Sequence, residues 1–247
     1  MENLSKIFIL SFFSISFMED CIPAVEVELW GECYNIKTTI KLNLSGSGLT
    51  GEIPSRLGDL TNLYSIDLSN NRLSGEIPSE LGNLINLDFL YLQDNRLSGE
   101  IPSSIGNLAG LNRLFLSSNR LSGKIPSSIE KLKKLEYLYL FKNNLSGEIP
   151  ISIGTLLNLF KLDLSSNQLS GAIPSSIGNL TNLNSLRLFN NHFSGQIPIS
   201  IGNLIKLEFL FLQNNLLEGE IPIELNKLKN LKDMRFDNNQ FKNKISK

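Results

Sequence analysis

The chain has 247 residues, 41% of them apolar, with 23 basic against 24 acidic side chains for a net charge of −1. That balance excludes the basic stripe a nucleic-acid backbone requires and the long acidic run of a disordered tail. The apolar share is ordinary for a soluble folded protein, and the length suits one large domain or two small ones.

The first residues read as an export signal. Lys6 precedes an apolar run from Ile7 to Phe17 broken only by serines. Such a run fits the h-region of a signal peptide and falls short of the roughly 20 residues a membrane helix needs. Ser14-Ile15-Ser16 offers small residues for cleavage after Ser16, giving a signal over 1–16; a cut after Ala24 would remove Cys21 and leave Cys33 unpaired. An odd thiol is a liability in a secreted protein, so the earlier cut is expected, with an uncleaved anchor as the alternative. No second apolar stretch long enough to span a bilayer follows, so no span is expected in the mature chain.

From about Thr39 the chain repeats. Leu63, Leu87, Leu111, Leu135, Leu159, Leu183, Leu207 and Leu231 fall every 24 residues, each opening the frame L-x-x-L-x-L-x-x-N-x-L-S-G-x-I-P-x-x-L/I-G-x-L. Self-similarity at such a period marks a solenoid, whose units bury their apolar faces only by stacking. Unbroken repetition argues for one domain.

In the unit 111–134, Leu114-Phe115-Leu116 alternates as a short strand does, with Leu114 and Leu116 inward and Arg113, Phe115 and Ser117 outward. Asn119 ends the strand, and its equivalents are Asn71, Asn95, Asn143, Asn167, Asn191, Asn215 and Asn239. An amide carries donor and acceptor, so this ladder is expected to satisfy buried backbone groups in its own turn and the neighbouring coil. Gly123 permits a positive φ or a close backbone approach, and Pro126 favours an extended segment without a ladder N–H. Ile129 and Leu132 then share one face of a short helical turn, which the glycine following the first apolar residue in most coils is expected to keep brief.

This frame, with its S-G-x-I-P element, resembles the plant-type leucine-rich repeat and covers the chain from about Thr39 onward. Similar chains form receptor-kinase ectodomains, polygalacturonase-inhibiting proteins and secreted microbial proteins. The resemblance implies an α/β solenoid, a right-handed superhelix of about nine repeats. It would carry a concave parallel β-sheet, short 3-10 or α helices on the convex side, and a second small sheet from the G-x-I-P segments. Repeats 1 to 8 would occupy 39–230, after an amino-terminal cap over 17–38 in which Leu29-Trp30-Gly31-Glu32-Cys33 matches the family's tryptophan–cysteine element. The family's adjacent cysteine pair is absent, which leaves Cys21 as the partner expected for Cys33, with two free thiols as the alternative in a reducing compartment. The segment 231–247 is a degenerate, charged terminal repeat expected to act as a cap, with Asn243 and Ser246 where glycine and proline belong. Whether the chain stops there by design or is a receptor fragment stays open.

Catalysis finds little support. His192, the one histidine, occupies a variable turn slot, and no nucleophile–base pair, metal-ligand spacing or phosphate-cradling loop stands out. No enzyme activity, cofactor or metal is expected. Function is sought where the repeat varies. The outward strand positions of the third to fifth coils carry Phe89, Tyr91, Phe115, Tyr137, Tyr139 and Phe141, bordered by Arg113, Lys161, Asp163 and Arg187, with Phe189, Phe209 and Phe211 further on. An apolar centre with a charged rim is the anatomy of a binding surface, although aromatics also suit strands and stack across them. Sequons at Asn43, Asn144 and Asn179 are glycan acceptors if the host glycosylates. The expected function is a secreted, monomeric, non-enzymatic module binding a protein or peptide. The alternatives are a structural or ice-binding repeat protein and a membrane-receptor ectodomain fragment.

Overall fold

The computed structural model describes residues 21–242. The expected signal over 1–16 and the departures at Asn243 and Ser246 lie outside them. Nine parallel three-residue strands form one sheet: Lys41–Asn43, Ser65–Asp67, Phe89–Tyr91, Arg113–Phe115, Tyr137–Tyr139, Lys161–Asp163, Ser185–Arg187, Phe209–Phe211 and Asp233–Arg235. These define coils 1 to 9. They pair strictly in sequence order and in one register, so residues 24 apart in the chain are side by side in the sheet.

One leucine-rich core runs the length of the stack. In coil 4, Leu111, Leu114, Leu116, Leu121 and Leu132 are fully buried and Ile125 and Ile129 nearly so. Seven aliphatic side chains per coil at roughly 1.5–3 kcal/mol each give gross burial of order 10 kcal/mol before conformational entropy is subtracted.

The asparagines at the strand ends bind the coils together. Asn167 accepts from the amide of Leu145 in the preceding coil at 3.0 Å and donates to the carbonyls of Leu140, Leu164 and Ser165 at 3.0, 3.1 and 3.3 Å. Asn71, Asn95, Asn119, Asn143, Asn191, Asn215 and Asn239 repeat the pattern. Coil 1 has Ser47 at this place, and it is exposed. A second, outer ladder was not anticipated. Asn62, Asn86, Asn158, Asn182 and Asn230 each donate to a carbonyl 25 residues earlier, at 2.7–3.0 Å, tying the far side of the stack.

After the ladder, the chain makes a second set of short parallel strands. Ser146–Gly147, Gln168–Ala172, His192–Gly195, Leu216–Gly219 and Gln240–Phe241 form one small sheet, and Thr50–Gly51 pairs with Arg72–Leu73. These lie on the L-S-G residues, a step earlier than the G-x-I-P segments expected, because the proline has no N–H to give a ladder. The glycine closing them takes a positive φ, as at Gly171 (75°), a region other residues resist.

Each proline then leads into a five-residue 3-10 helix, eight in all among the described residues, from Ser55–Asp59 to Ile223–Lys227. The glycine inside most of them is there for a reason the sequence reading missed. A methyl group on Gly178 would lie 2.5 Å from Ser200 Cβ and 2.8 Å from the Ser200 carbonyl carbon, so it is the approach of the next coil that demands glycine.

The amino-terminal end is covered by an antiparallel hairpin, Glu26–Leu29 with Glu32–Asn35, turning through Trp30 and Gly31, both at positive φ. Val27 and Leu29 are buried, and Trp30 and Tyr34 pack on the core. A Cys21–Cys33 disulfide, Cα atoms 5.5 Å apart, ties the hairpin to the preceding segment. At the other end, Phe236 is buried against Phe241 while Met234 is 38% exposed. No helix among the described residues is long and apolar enough to cross a membrane.

Candidate functional site

The common register sets the outward side chains in two rows. The first strand positions run Phe89, Arg113, Tyr137, Lys161, Ser185, Phe209, and the third run Tyr91, Phe115, Tyr139, Asp163, Arg187, Phe211. Parallel neighbours sit about 4.8 Å apart, close enough for rings to touch. They do. Tyr91 and Phe115 have centroids 5.0 Å apart, and Phe115 stacks on Tyr139 at 4.4 Å and 20°. Within strands, Phe89 stacks on Tyr91 at 6.2 Å, and Tyr139 meets Tyr137 at 6.4 Å and Phe141 at 6.2 Å. All six rings are half-buried. Cross-strand stacking and surface exposure are therefore both present: the rings spend part of their surface on neighbours and leave the rest to the concavity.

Arg113 lies inside this patch rather than on its border. Its guanidinium carbon stands 5.3 Å from the Phe89 ring and 5.1 Å from the Tyr137 ring, and Nη1 donates to the Tyr91 hydroxyl at 3.3 Å. A cation between two π faces is held in place by both. The hydrogen bond to Tyr91 raises the Arg113 pKa, against the opposing effect of burial. Its Nε is buried without a partner.

Beyond the rings, coils 5 to 7 enclose a hollow of about 300 Å³ lined by Tyr139, Phe141, Lys142, Lys161, Asp163, Ser165, Ser166, Ser185, Arg187 and Phe189, with Leu162 at its floor. Asp163, expected on the rim, is only 7% exposed. Its Oδ1 accepts from the Ser165 hydroxyl at 2.6 Å and the Ser165 amide at 3.0 Å, and Oδ2 is 3.9 Å from Arg187 Nη1. Burial pushes its carboxyl above the ordinary value, more than these hydrogen bonds and the Arg187 charge pull it down. Burial likewise raises the Tyr139 hydroxyl, with Asp163 adding to it.

Phe211 departs most from its expected place as an exposed anchor. It is 9% exposed, sandwiched between the guanidinium groups of Arg187 (5.2 Å) and Arg235 (4.8 Å), with Phe209 edge-on at 6.2 Å. Its surface is covered by its own neighbours. One contributor escaped the sequence reading. Phe160, the residue before a strand, meets Tyr137 at 5.8 Å and lies beneath Lys161 Nζ at 5.9 Å. Its slot holds Asn112, Glu136 and Asn184 in other coils, so no pattern marked it. Asn43, Asn144 and Asn179 are all exposed, Asn43 on the first concave strand. His192 is exposed at the start of a second-sheet strand, outside the concave sheet that carries the two rows.

Leucine-rich repeat models match residues 39–60, 62–84, 86–108 and 100–145, and a leucine-rich repeat region model matches 126–247. Among solved structures, the Arabidopsis receptor kinase HAESA in complex with the peptide hormone IDA and the co-receptor SERK1 is 44% identical, with a TM-score of 0.77 over 79% of this chain and 33% of that one. The plant peptide hormone receptor RGFR1 in complex with RGF2 is 36% identical, with a TM-score of 0.73 over 78% of this chain and 34% of that one. A plant ice-binding protein is 30% identical, with a TM-score of 0.70 over 81% of this chain and 64% of that one. The chain thus spans about a third of the length of those two receptor chains. The curated proteins contain no match. With the 24-residue frame, the parallel sheet and these matches together, the chain belongs to the leucine-rich repeat family in its plant-type form.

Proposed function

We propose that the chain is a secreted, non-enzymatic recognition module that holds a peptide or protein segment across the concave face of coils 3 to 7. The observation that carries this is the in-register row Tyr91, Phe115 and Tyr139, with Arg113 fixed among the rings and a hollow adjoining them. Rigid, half-buried aromatics with a clamped arginine are the usual anchors of a binding face, because they bury area at little entropic cost. Peptide complexes of the similar receptor ectodomains support the reading. The Cys21–Cys33 disulfide fits an oxidising compartment. The same face would serve a free-standing module or part of a receptor ectodomain.

Panning a displayed random-peptide library over the unmodified protein and a Tyr91→Ala/Phe115→Ala/Tyr139→Ala variant tests the proposal. Peptides enriched on the first and not retained by the second are expected. Peptides retained equally by both would end it. Likeness to an ice-binding protein motivates a second reading. A flat array of small polar residues suits ice, whereas these concave strands are aromatic and charged; thermal hysteresis unaffected by the triple substitution would favour that reading instead.

A further inference from the structure

Resting on that reading, we infer that the ligand is an extended peptide bearing two acidic side chains four residues apart, with apolar residues between them. Two sets of cations stand on the concave face, with the rings of coil 5 between them and the aromatic row running past the first. Arg113 in coil 4 is the first. Its two flanking rings fix it, only one hydrogen bond engages its donors among the described residues, and Nε is buried and unpartnered. Guanidinium carries five N–H donors in a planar fork, so this one retains capacity for a carboxylate. The second set is Lys161 in coil 6 and Arg187 in coil 7, lining the hollow with Lys142. The acid there, Asp163, is buried and turned to Ser165, and holds Arg187 only at 3.9 Å. The hollow therefore presents cations to an entering group, and its volume of about 300 Å³ accommodates a side chain.

The sheet supplies the ruler. Arg113, Tyr137 and Lys161 occupy one register position on consecutive strands, and Arg187 is one strand further. At about 4.8 Å per strand, and with Arg187 two residues further along its strand, the two sets are separated by about 10 Å to Lys161 and about 16 Å to Arg187. An extended chain crossing the strands advances about 3.3 Å per residue and turns every second side chain to the sheet, so a span of about 13 Å, between those two distances, matches side chains four residues apart. The residues between them lie over Tyr139, with Phe115 stacked beside it in coil 4. Asp88 and Glu136 stand just before the strand starts, and their charge disfavours acids at that rim relative to the strand centres. Both spacing and sign of charge are thereby selected.

The experiment titrates the full chain with fluorescein-labelled nine-residue peptides of equal length, each with a leucine–phenylalanine centre. One series places two glutamates four residues apart, another places them adjacent, and a third replaces both with glutamine. Fluorescence anisotropy is expected to show the spaced peptides binding about tenfold tighter than either control at 0.1 M salt, with the advantage shrinking as salt rises. Lys161→Gln/Arg187→Gln should remove that advantage and leave the glutamine peptide unchanged. Equal affinity for all three series, lost in the Tyr91→Ala/Phe115→Ala/Tyr139→Ala variant, would overturn this inference while the aromatic face remained the binding site. Binding of every series that survives the aromatic substitutions, or no binding of any, would overturn both.

Discussion

The concave and convex sides of this solenoid respond differently to change in the same frame. On the concave side, the amides of Leu68, Leu92, Leu116, Leu140 and Leu164 reach the carbonyls of Tyr91, Phe115, Tyr139, Asp163 and Arg187, all at 2.9 Å. A tyrosine, an aspartate and an arginine make no difference, because those side chains point away from the stack. On the convex side, Ser128, Ser176 and Ser200 hydroxyls donate to the preceding coil at 2.6–2.7 Å. Where Glu130 replaces the usual glycine, the matching Ser152 bond stretches to 3.3 Å. The Ser104 hydroxyl, facing Gly82, is buried without a partner instead. Recognition can be written on the concave face without disturbing the scaffold, whereas the convex face is held by close approach.

The largest break should come from within the scaffold. Asn167→Ala strands the Leu145 amide and takes one of two amide donors from each of the Leu140 and Leu164 carbonyls, which keep Asn143 and Asn191, and is expected to cost about 2–4 kcal/mol in urea unfolding, at roughly 1–3 kcal/mol for the buried orphan and about 1 kcal/mol for the lost carbonyl bonds. Next, Gly178→Ala forces a methyl group against the Ser200 backbone and should cost about 1–3 kcal/mol. Glu130→Ala sharpens the comparison, since that junction already accommodates a side chain, and should change stability by less than about 0.5 kcal/mol. An equal cost at both positions would show that coil approach is not what demands glycine.

The smallest effect concerns charge. The folded Asp163 pKa is raised by burial, so its ionised form is disfavoured by folding. The resulting loss of stability is absent below the unfolded value, about 3.9, and is fully present once pH has risen through the folded value. Asp163→Asn keeps an acceptor for Ser165 without the charge. It should be at least as stable as the unmodified protein at pH 7, with the difference vanishing below pH 4. A variant less stable at pH 7 would contradict this.

Much of the scaffold was legible because periodicity carries its own register. The leucines, the strand-end asparagines and the outward rings follow from spacing alone. Other features were not legible because they depend on what faces a residue across coils. The glycines of the 3-10 helices answer to the residue 22 positions on, a serine for Gly178 and a glutamate for Gly58 and Gly202. Asp163 looked like a rim charge, and only its hydroxyl partner and burial reveal otherwise. Phe211 reads as an anchor until two arginines cover it. Phe160 joins the patch from a slot with no repeated character.

The most direct test measures stability and binding together on the Tyr91→Ala/Phe115→Ala/Tyr139→Ala variant. Its urea midpoint is expected to stay near that of the unmodified protein, while affinity for a peptide selected on the unmodified protein falls at least about 100-fold. Retained affinity would contradict the account, and so would binding lost only together with the fold.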